Sequence, residues 1–186
     1  MTALIVSRYG AFNQGTLMTN LAYDVALTIR TAQSFGVSVK GIEDSSTNAG
    51  AGFNQTFSGA YGVHFDAVTT PTSFFTFIDA LPNDGIYSLA TDGAPYSTYA
   101  IKQGAKIASI CVGTTGSCTV TGLTSIDISF RRPDPSAVIC ATTGGTSSCG
   151  NGANPYTYAE IVIASNDGTS SREIIVRGNG QISVSQ

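Results

Sequence analysis

The sequence predicts an α+β fold, in which one N-terminal helix packs on an antiparallel β-rich domain of about seven to nine short strands. Three observations lead to this fold. Apolar residues recur every three or four positions near the N-terminus, as they do along one face of a helix. Further along the chain, apolar and polar residues alternate in short runs between turn residues, and four cysteines form two close pairs.

The predicted helix covers residues 16–35, with a kinked or frayed extension back to about residue 3. Gly36 follows as the expected stop signal, because glycine readily adopts the backbone conformation that ends a helix. We expect one apolar stripe of this helix to pack against the sheet. The stripe contains four residues spaced by four, with Met18, Ala22 and Ala26 beside them; the four are Leu17, Leu21, Val25 and Ile29.

Alternating polarity and turn residues define the strands. Residues 166–168 and 178–180 are turn sequences rich in Asn and Gly, so the C-terminal strands are predicted to form an antiparallel meander. Residues 86–89 fit either a short strand or a brief helical turn, and residues 37–40 have a short strand signature. The other strand candidates are residues 61–66, 73–79, 106–112, 124–131, 136–140, 157–164, 172–177 and 180–184.

The four cysteines are Cys111, Cys118, Cys140 and Cys149, and each close pair brackets a segment of Gly, Ser and Thr. Several connectivities are possible, but proximity favours one disulfide within each pair. A metal site is the competing interpretation. Neither pair has the Cys-x2-Cys spacing of structural zinc sites, and the chain has a single histidine. We therefore predict two disulfides and no metal, which places the chain outside the reducing cytosol.

Composition narrows the classes of partner. The 186 residues fit one domain with a substantial core, and only 11% of them are charged, against about 25% in typical proteins. The net charge is −3, and no run of Lys or Arg is longer than Arg131-Arg132. This balance speaks against nucleic acid or anionic lipid as a partner. A surface of small neutral polar residues is common in extracellular β proteins.

Candidate catalytic residues are few. The only histidine, His64, lies two residues before Asp66, and alternation places both on one face of a strand. A Ser-His-Asp hydrolase is conceivable from them, but no G-x-S-x-G turn is present. Asp84 and Asp92 are loop acids that can ligate calcium, but they lack the Asp/Asn ladder of a calcium loop. Phosphate-binding glycine motifs are absent as well. The sequence predicts neither an enzyme nor a cofactor.

Four segments, taken together, resemble a known family. Residues 17–33 contain an L-x-x-x-L register with an Arg and small residues. Residues 61–79 resemble a G-x-x-F…F-x-x-F-x-D pattern, and residues 172–176 and 178–184 resemble a closing hairpin. In this order and over nearly the whole chain, the sequence is similar to the H-type minor pseudopilins of type II secretion and to the related minor pilins of type IV pili.

This resemblance implies a structural subunit of a pilus-like or secretion filament. Residues 1–36 are then the C-terminal part of a stalk helix, and residues 37–186 are the globular pilin-like domain. Other pilin or pseudopilin subunits and an inner-membrane assembly machinery are the implied partners. The implied location is extracytoplasmic, with membrane anchoring before assembly. Residues 1–6 begin abruptly with an apolar run, so we expect a longer hydrophobic stalk, removed from this chain, to precede it.

Two family features are missing from the sequence. The processing motif, a Gly followed by an apolar start and a Glu, is not found. Some DNA-binding minor pilins carry a G-R-x-R motif in the closing strand, where this chain has Gly180-Gln181-Ile182-Ser183. Because neutral residues replace both arginines, DNA uptake is a lesser alternative. An adhesin-like module that binds sugar or protein through loops 41–60 and 141–154 is the other alternative.

Overall fold

The computed structural model describes residues 2–38, 42–43, 55–56, 59–79, 83–149 and 156–185, with side chains for 14–38, 59–79, 83–149 and 156–185. The helices are α1 (Thr2–Val37) and α2 (Leu89–Asp92). The strands are β1 (Ile42–Glu43), β2 (Gln55–Thr56), β3 (Ala60–Asp66), β4 (Ser73–Asp79), β5 (Ser97–Ala100), β6 (Lys106–Gly113), β7 (Ser125–Arg131), β8 (Asp134–Thr143), β9 (Thr146–Ser147), β10 (Tyr158–Ala164), β11 (Ser171–Arg177) and β12 (Ile182–Ser185).

Two antiparallel sheets follow the helix. One has six strands in the order β5-β4-β3-β7-β8-β9, and the other has four in the order β12-β11-β10-β6; β1 and β2 form a separate pair. The predicted α+β class with an N-terminal helix is confirmed. The predicted number of strands is wrong, because twelve occur in the described residues. Three of them, β1, β2 and β9, have two residues each, which is too short for alternation to reveal.

The core lies between α1 and the inner faces of both sheets. Buried residues of α1 share one apolar cluster with residues of β3, β7, β10 and β11, such as Val63, Ile128, Ile161 and Ile174. Alternation explains the strands, since these residues point inward while their sequence neighbours point outward. The buried face of the helix consists of Met18, Ala22, Val25, Ala26, Thr28, Ile29, Ala32 and Gly36.

Gly36 does not end the helix, contrary to the sequence prediction. It lies inside α1, where a Cβ atom would overlap the backbone carbonyl of Phe130 in β7. Its missing side chain therefore lets the last turn of α1 approach the sheet closely. The predicted strand at 37–40 is wrong for its first two residues, because Val37 is helical and Ser38 lies in a turn. The remaining two residues lie outside the described part.

One side chain of α1 joins both sheets. The Gln33 amide donates from Nε2 to the Pro135 carbonyl of β8 at 2.9 Å and to the Gly180 carbonyl, in the turn before β12, at 3.0 Å. A Cβ atom at Gly180 would overlap the Pro135 carbonyl, and Gly180 also has a positive φ of 84°. Glycine is therefore required where the helix and the two sheets meet.

The C-terminal meander has the predicted order. β10 pairs with β11 and β11 pairs with β12, and Gly168 in the first turn has a positive φ of 69°. Residues 86–89 do not form a strand; Leu89 begins the short helix α2. Asn83 and Gly85, which precede this helix, both have positive φ.

We predict opposite effects for two helix glycines. Gly36→Ala should lower the free energy of unfolding by about 1–3 kcal/mol, because its methyl group would force the helix away from Phe130. Gly15→Ala should raise it by about 0.5–1 kcal/mol, since nothing lies within 4 Å of a Cβ atom there and alanine favours a helix. Urea denaturation measures the free energy of unfolding of both variants. A Gly36→Ala protein as stable as the wild type would contradict the close packing.

Candidate functional site

The residues predicted to pack the helix on the sheet occupy two environments. Val25 and Ile29 are fully buried in the core. Leu17 and Leu21 are only half-buried, at the edge of the buried face. Ala22 and Ala26, which lie beside the leucines in the stripe, are buried as well. The half-buried leucines line a surface groove instead.

This groove runs between α1 and strand β5 in two adjoining sections of about 320 Å³ and about 310 Å³. Leu21, Asp24 and Ala100 line both sections. Leu27 and Tyr99 border the second section, and both are exposed. We call these residues, together with the exposed Tyr23 on α1, the groove face; it combines apolar side chains with polar ones such as Asp24.

A second group of side chains lies on the outer face of the six-stranded sheet, which is turned away from α1. His64 of β3 and Asp127 of β7 are directly paired across the strands, and His64 Nδ1 lies 2.7 Å from Asp127 Oδ1. The predicted partner Asp66 does not contact His64; it accepts hydrogen bonds from the amides of Val68 and Thr69 in the following turn. Alternation along β7 makes Asp127 face away from the side of the sheet on which Ile126 and Ile128 are buried, but alternation does not show which strand pairs with β7.

Residues 83–93, which we call the cover segment, pack over this outer face. Tyr87 contacts the rings of His64, Phe75 and Phe77 at centroid distances of 5.6, 4.7 and 5.5 Å. The amide of Gly85 donates to Asp79 Oδ2 at 2.7 Å. Asp79 is 0% exposed, and its Oδ1 has no hydrogen-bond partner among the described residues. Two buried aspartates, Asp79 and Asp127, therefore lie beneath a short covering loop.

Burial changes the titration of both aspartates. The pKa of Asp79 is raised to about 7, and burial is the largest cause. The hydrogen bond from the Gly85 amide lowers this pKa, whereas the nearby Asp92 and Asp84 carboxylates raise it. Burial also raises the pKa of Asp127, although the hydrogen bond and charge of His64 oppose this. Below about pH 7, Asp79 therefore favours its neutral form inside the fold, whereas Asp127 is hydrogen-bonded to His64.

Both predicted disulfides are present. Cys111 and Cys118 are bonded, with Cα atoms 5.7 Å apart, and Cys140 and Cys149 are bonded, with Cα atoms 4.9 Å apart. The first disulfide closes the loop after β6, and the second links β8 to the segment beyond β9. Cys118 is exposed, whereas both members of the second pair are buried. Two disulfides indicate an oxidising, extracytoplasmic environment.

Neither the His64–Asp127 pair nor the disulfides provide a complete catalytic triad or a set of free metal ligands among the described residues. His64 and Asp127 reproduce the acid–histidine half of a hydrolase triad, but no serine or threonine hydroxyl among the described residues hydrogen-bonds His64. In the described residues, one group of three potential metal ligands occurs, Cys111, Cys118 and Glu160, and its cysteines are in a disulfide. The loop acids Asp84 and Asp92 do not belong to such a group.

The chain matches no protein-family model, no curated protein and no solved structure. The similarity to minor pseudopilins and minor pilins therefore stays a prediction from the sequence segments quoted above. No helix among the described residues is both long enough and apolar enough to cross a membrane.

We predict that Asp79 makes the fold less stable as the pH rises. In the unfolded chain this carboxyl loses its proton near pH 3.8, whereas in the fold it does so at about pH 7. Between these values the folded state holds one more proton, so the free energy of unfolding falls with increasing pH. Asp79→Asn should reduce this loss by about 1–3 kcal/mol between about pH 4 and pH 8.

Urea denaturation at several pH values measures this effect, and Asp134→Asn is the control. Asp134 is an exposed carboxylate whose pKa is lowered by hydrogen bonds from Ser136, so its removal should leave the loss between these pH values unchanged. An Asp79→Asn protein with the same pH dependence as the wild type would contradict the buried neutral carboxyl.

Proposed function

We propose that this chain is a structural subunit of a type IV pilus-like or type II secretion filament, of the minor pseudopilin or minor pilin type. One observation carries the proposal. Helix α1 buries one face in the domain and presents Tyr23 and Leu27, 60% and 62% exposed, on another. A helix with a second apolar surface is suited to pack against a neighbouring subunit.

The exposed apolar residues of α1 are not scattered. Tyr23 and Leu27 are four residues apart, so they lie one above the other on the helix. Leu27 and the exposed Tyr99 border the same groove section as Phe74 and Leu21. Exposed apolar residues that lie close together are typical of interaction sites, whereas single exposed apolar residues are ordinary. The groove face is therefore the proposed contact with other subunits.

The dimensions of α1 also support a stalk. Its 36 residues correspond to a length of about 54 Å. The longest strand, β8, has 10 residues and spans about 34 Å. Because the helix is longer than the strands on which it packs, some of its turns can contact other subunits. Filament subunits use such a helix to stack on one another.

Location and further partners follow from the same proposal. The two disulfides fit a periplasmic or extracellular filament. Because the sequence resembles minor pilins, we also propose that the chain is anchored in the membrane before assembly. Its further partner is then an inner-membrane assembly machinery. We further propose that the chain has no enzymatic role and no cofactor, and that the His64–Asp127 pair serves to hold the cover segment on the sheet.

The test measures incorporation into filaments. We expect the wild-type chain to be found by mass spectrometry in surface or secretion filaments sheared from the producing organism. Leu27→Lys should strongly reduce its share of the filament fraction, because the charge would lie on the groove face. Val68→Lys is the matched control, since Val68 is also an exposed apolar residue, at 68%, but lies in the turn after β3.

Two results would overturn the proposal. One is a wild-type chain that never enters a filament fraction under conditions in which filaments form. The other is equal incorporation of both lysine variants. Circular dichroism and thermal denaturation of the purified variants establish that each is folded. Tight, selective binding on a glycan array by chains that enter no filament would favour the adhesin-like alternative.

A further inference from the structure

The Cys111–Cys118 disulfide lies beside a carboxylate that comes from another strand. Cys111 of β6 and Glu160 of β10 are directly paired across the four-stranded sheet. The two sulfur atoms and a carboxylate oxygen of Glu160 all lie within 4.8 Å of one another. Two sulfurs and one oxygen at such distances are a ligand set that suits zinc, provided that the sulfurs are thiolates.

The cysteines would remain close without their covalent bond. The segment after Cys118 returns along β6, where Val112 and Val120 exchange backbone hydrogen bonds of 3.1 and 2.9 Å, and the Thr119 amide donates to the Val112 carbonyl at 3.0 Å. These three bonds hold the strand that carries Cys111 against the segment that carries Cys118. Reduction therefore leaves both ends of the loop in place.

Glu160 is held in position independently of the cysteines. The Tyr158 hydroxyl donates to its Oε2 at 2.7 Å, and the Arg177 guanidinium lies over the Tyr158 ring at 5.8 Å. A hydrogen bond of this kind orients a ligating carboxylate in many metal sites. Cys118 is exposed, so an external reductant can reach the sulfur.

We propose that Cys111, Cys118 and Glu160 form a redox-gated site for a thiophilic divalent cation such as Zn²⁺. An external thiol reductant supplies two electrons and two protons, which convert the disulfide into two thiols while the reductant becomes oxidised to its own disulfide. The cation then displaces the two thiol protons and binds two thiolates and the carboxylate. Three protein ligands leave the fourth tetrahedral position to water.

The other disulfide provides an internal comparison. Cys140 and Cys149 are both buried at 1% exposure. Within the described ranges they belong to no group with a carboxylate at metal-binding distance. The sequence could not show which pair lies beside Glu160, because Glu160 is nearer to Cys149 than to Cys118 in the chain and only the β6–β10 register brings it beside Cys111.

Cobalt titration of the full chain tests the site, because Co²⁺ bound to thiolates gives a sulfur-to-metal charge-transfer band. The reduced wild type should bind one Co²⁺ per chain and exchange it for Zn²⁺, whereas the oxidised chain should give no band. Glu160→Gln should weaken binding by about tenfold or more. Glu173→Gln is the matched control: Glu173 lies on the next strand, outside the ligand group, and its loss should leave the affinity unchanged.

Alkylation followed by mass spectrometry locates the metal. Bound Zn²⁺ should protect Cys111 and Cys118 from alkylation in the reduced chain, and Cys118→Ser should abolish the charge-transfer band. Equal affinity of the wild type and Glu160→Gln would overturn the proposal. So would protection of Cys140 and Cys149 instead, or a reduced chain that binds no cation at all.

Discussion

The packing of α1 against both sheets is the interaction on which the rest of the structure depends. The six-stranded and four-stranded sheets each turn an apolar face toward the helix, and the buried residues of all three form a single cluster. Direct backbone bonds also link the sheets, such as the one from the Ala137 amide to the Gly178 carbonyl. The helix nevertheless supplies the surface that both sheets cover. Each fully buried aliphatic side chain, such as Ile29, contributes about 1.5–3 kcal/mol through removal from water.

This arrangement sets the residue types along the helix. At Gly36 a Cβ atom would overlap the backbone of Phe130, so only glycine fits there, and the small residues Ala22 and Ala26 are buried on the same face. The larger leucines are displaced to the rim, where Leu21 lines the groove and Leu27 is exposed. The proposed subunit contact uses the surface that the domain itself cannot cover.

Sequence periodicity predicted the main helix and most of the longer strands, but not the shortest strands, β5 or the contacts between elements. The helix, the paired hairpins at the C-terminus and the two disulfides were all predicted, because each follows from local spacing. Gly36 was misassigned as a stop signal, since a glycine needed for close packing looks the same in sequence as one needed for a turn. The His64–Asp127 pair and the Glu160–Cys111 neighbours were beyond prediction, because they depend on which strands lie side by side.

Native-state hydrogen exchange tests the central role of α1 most directly. If the helix holds both sheets, its amides between Met18 and Ala32 should exchange as slowly as those of β3, β7 and β11, through the same global unfolding. Chain segments that exchange together at the global free energy of unfolding would establish one cooperative unit. Rapid exchange along these turns of α1, while the two sheets keep their protection, would contradict the account.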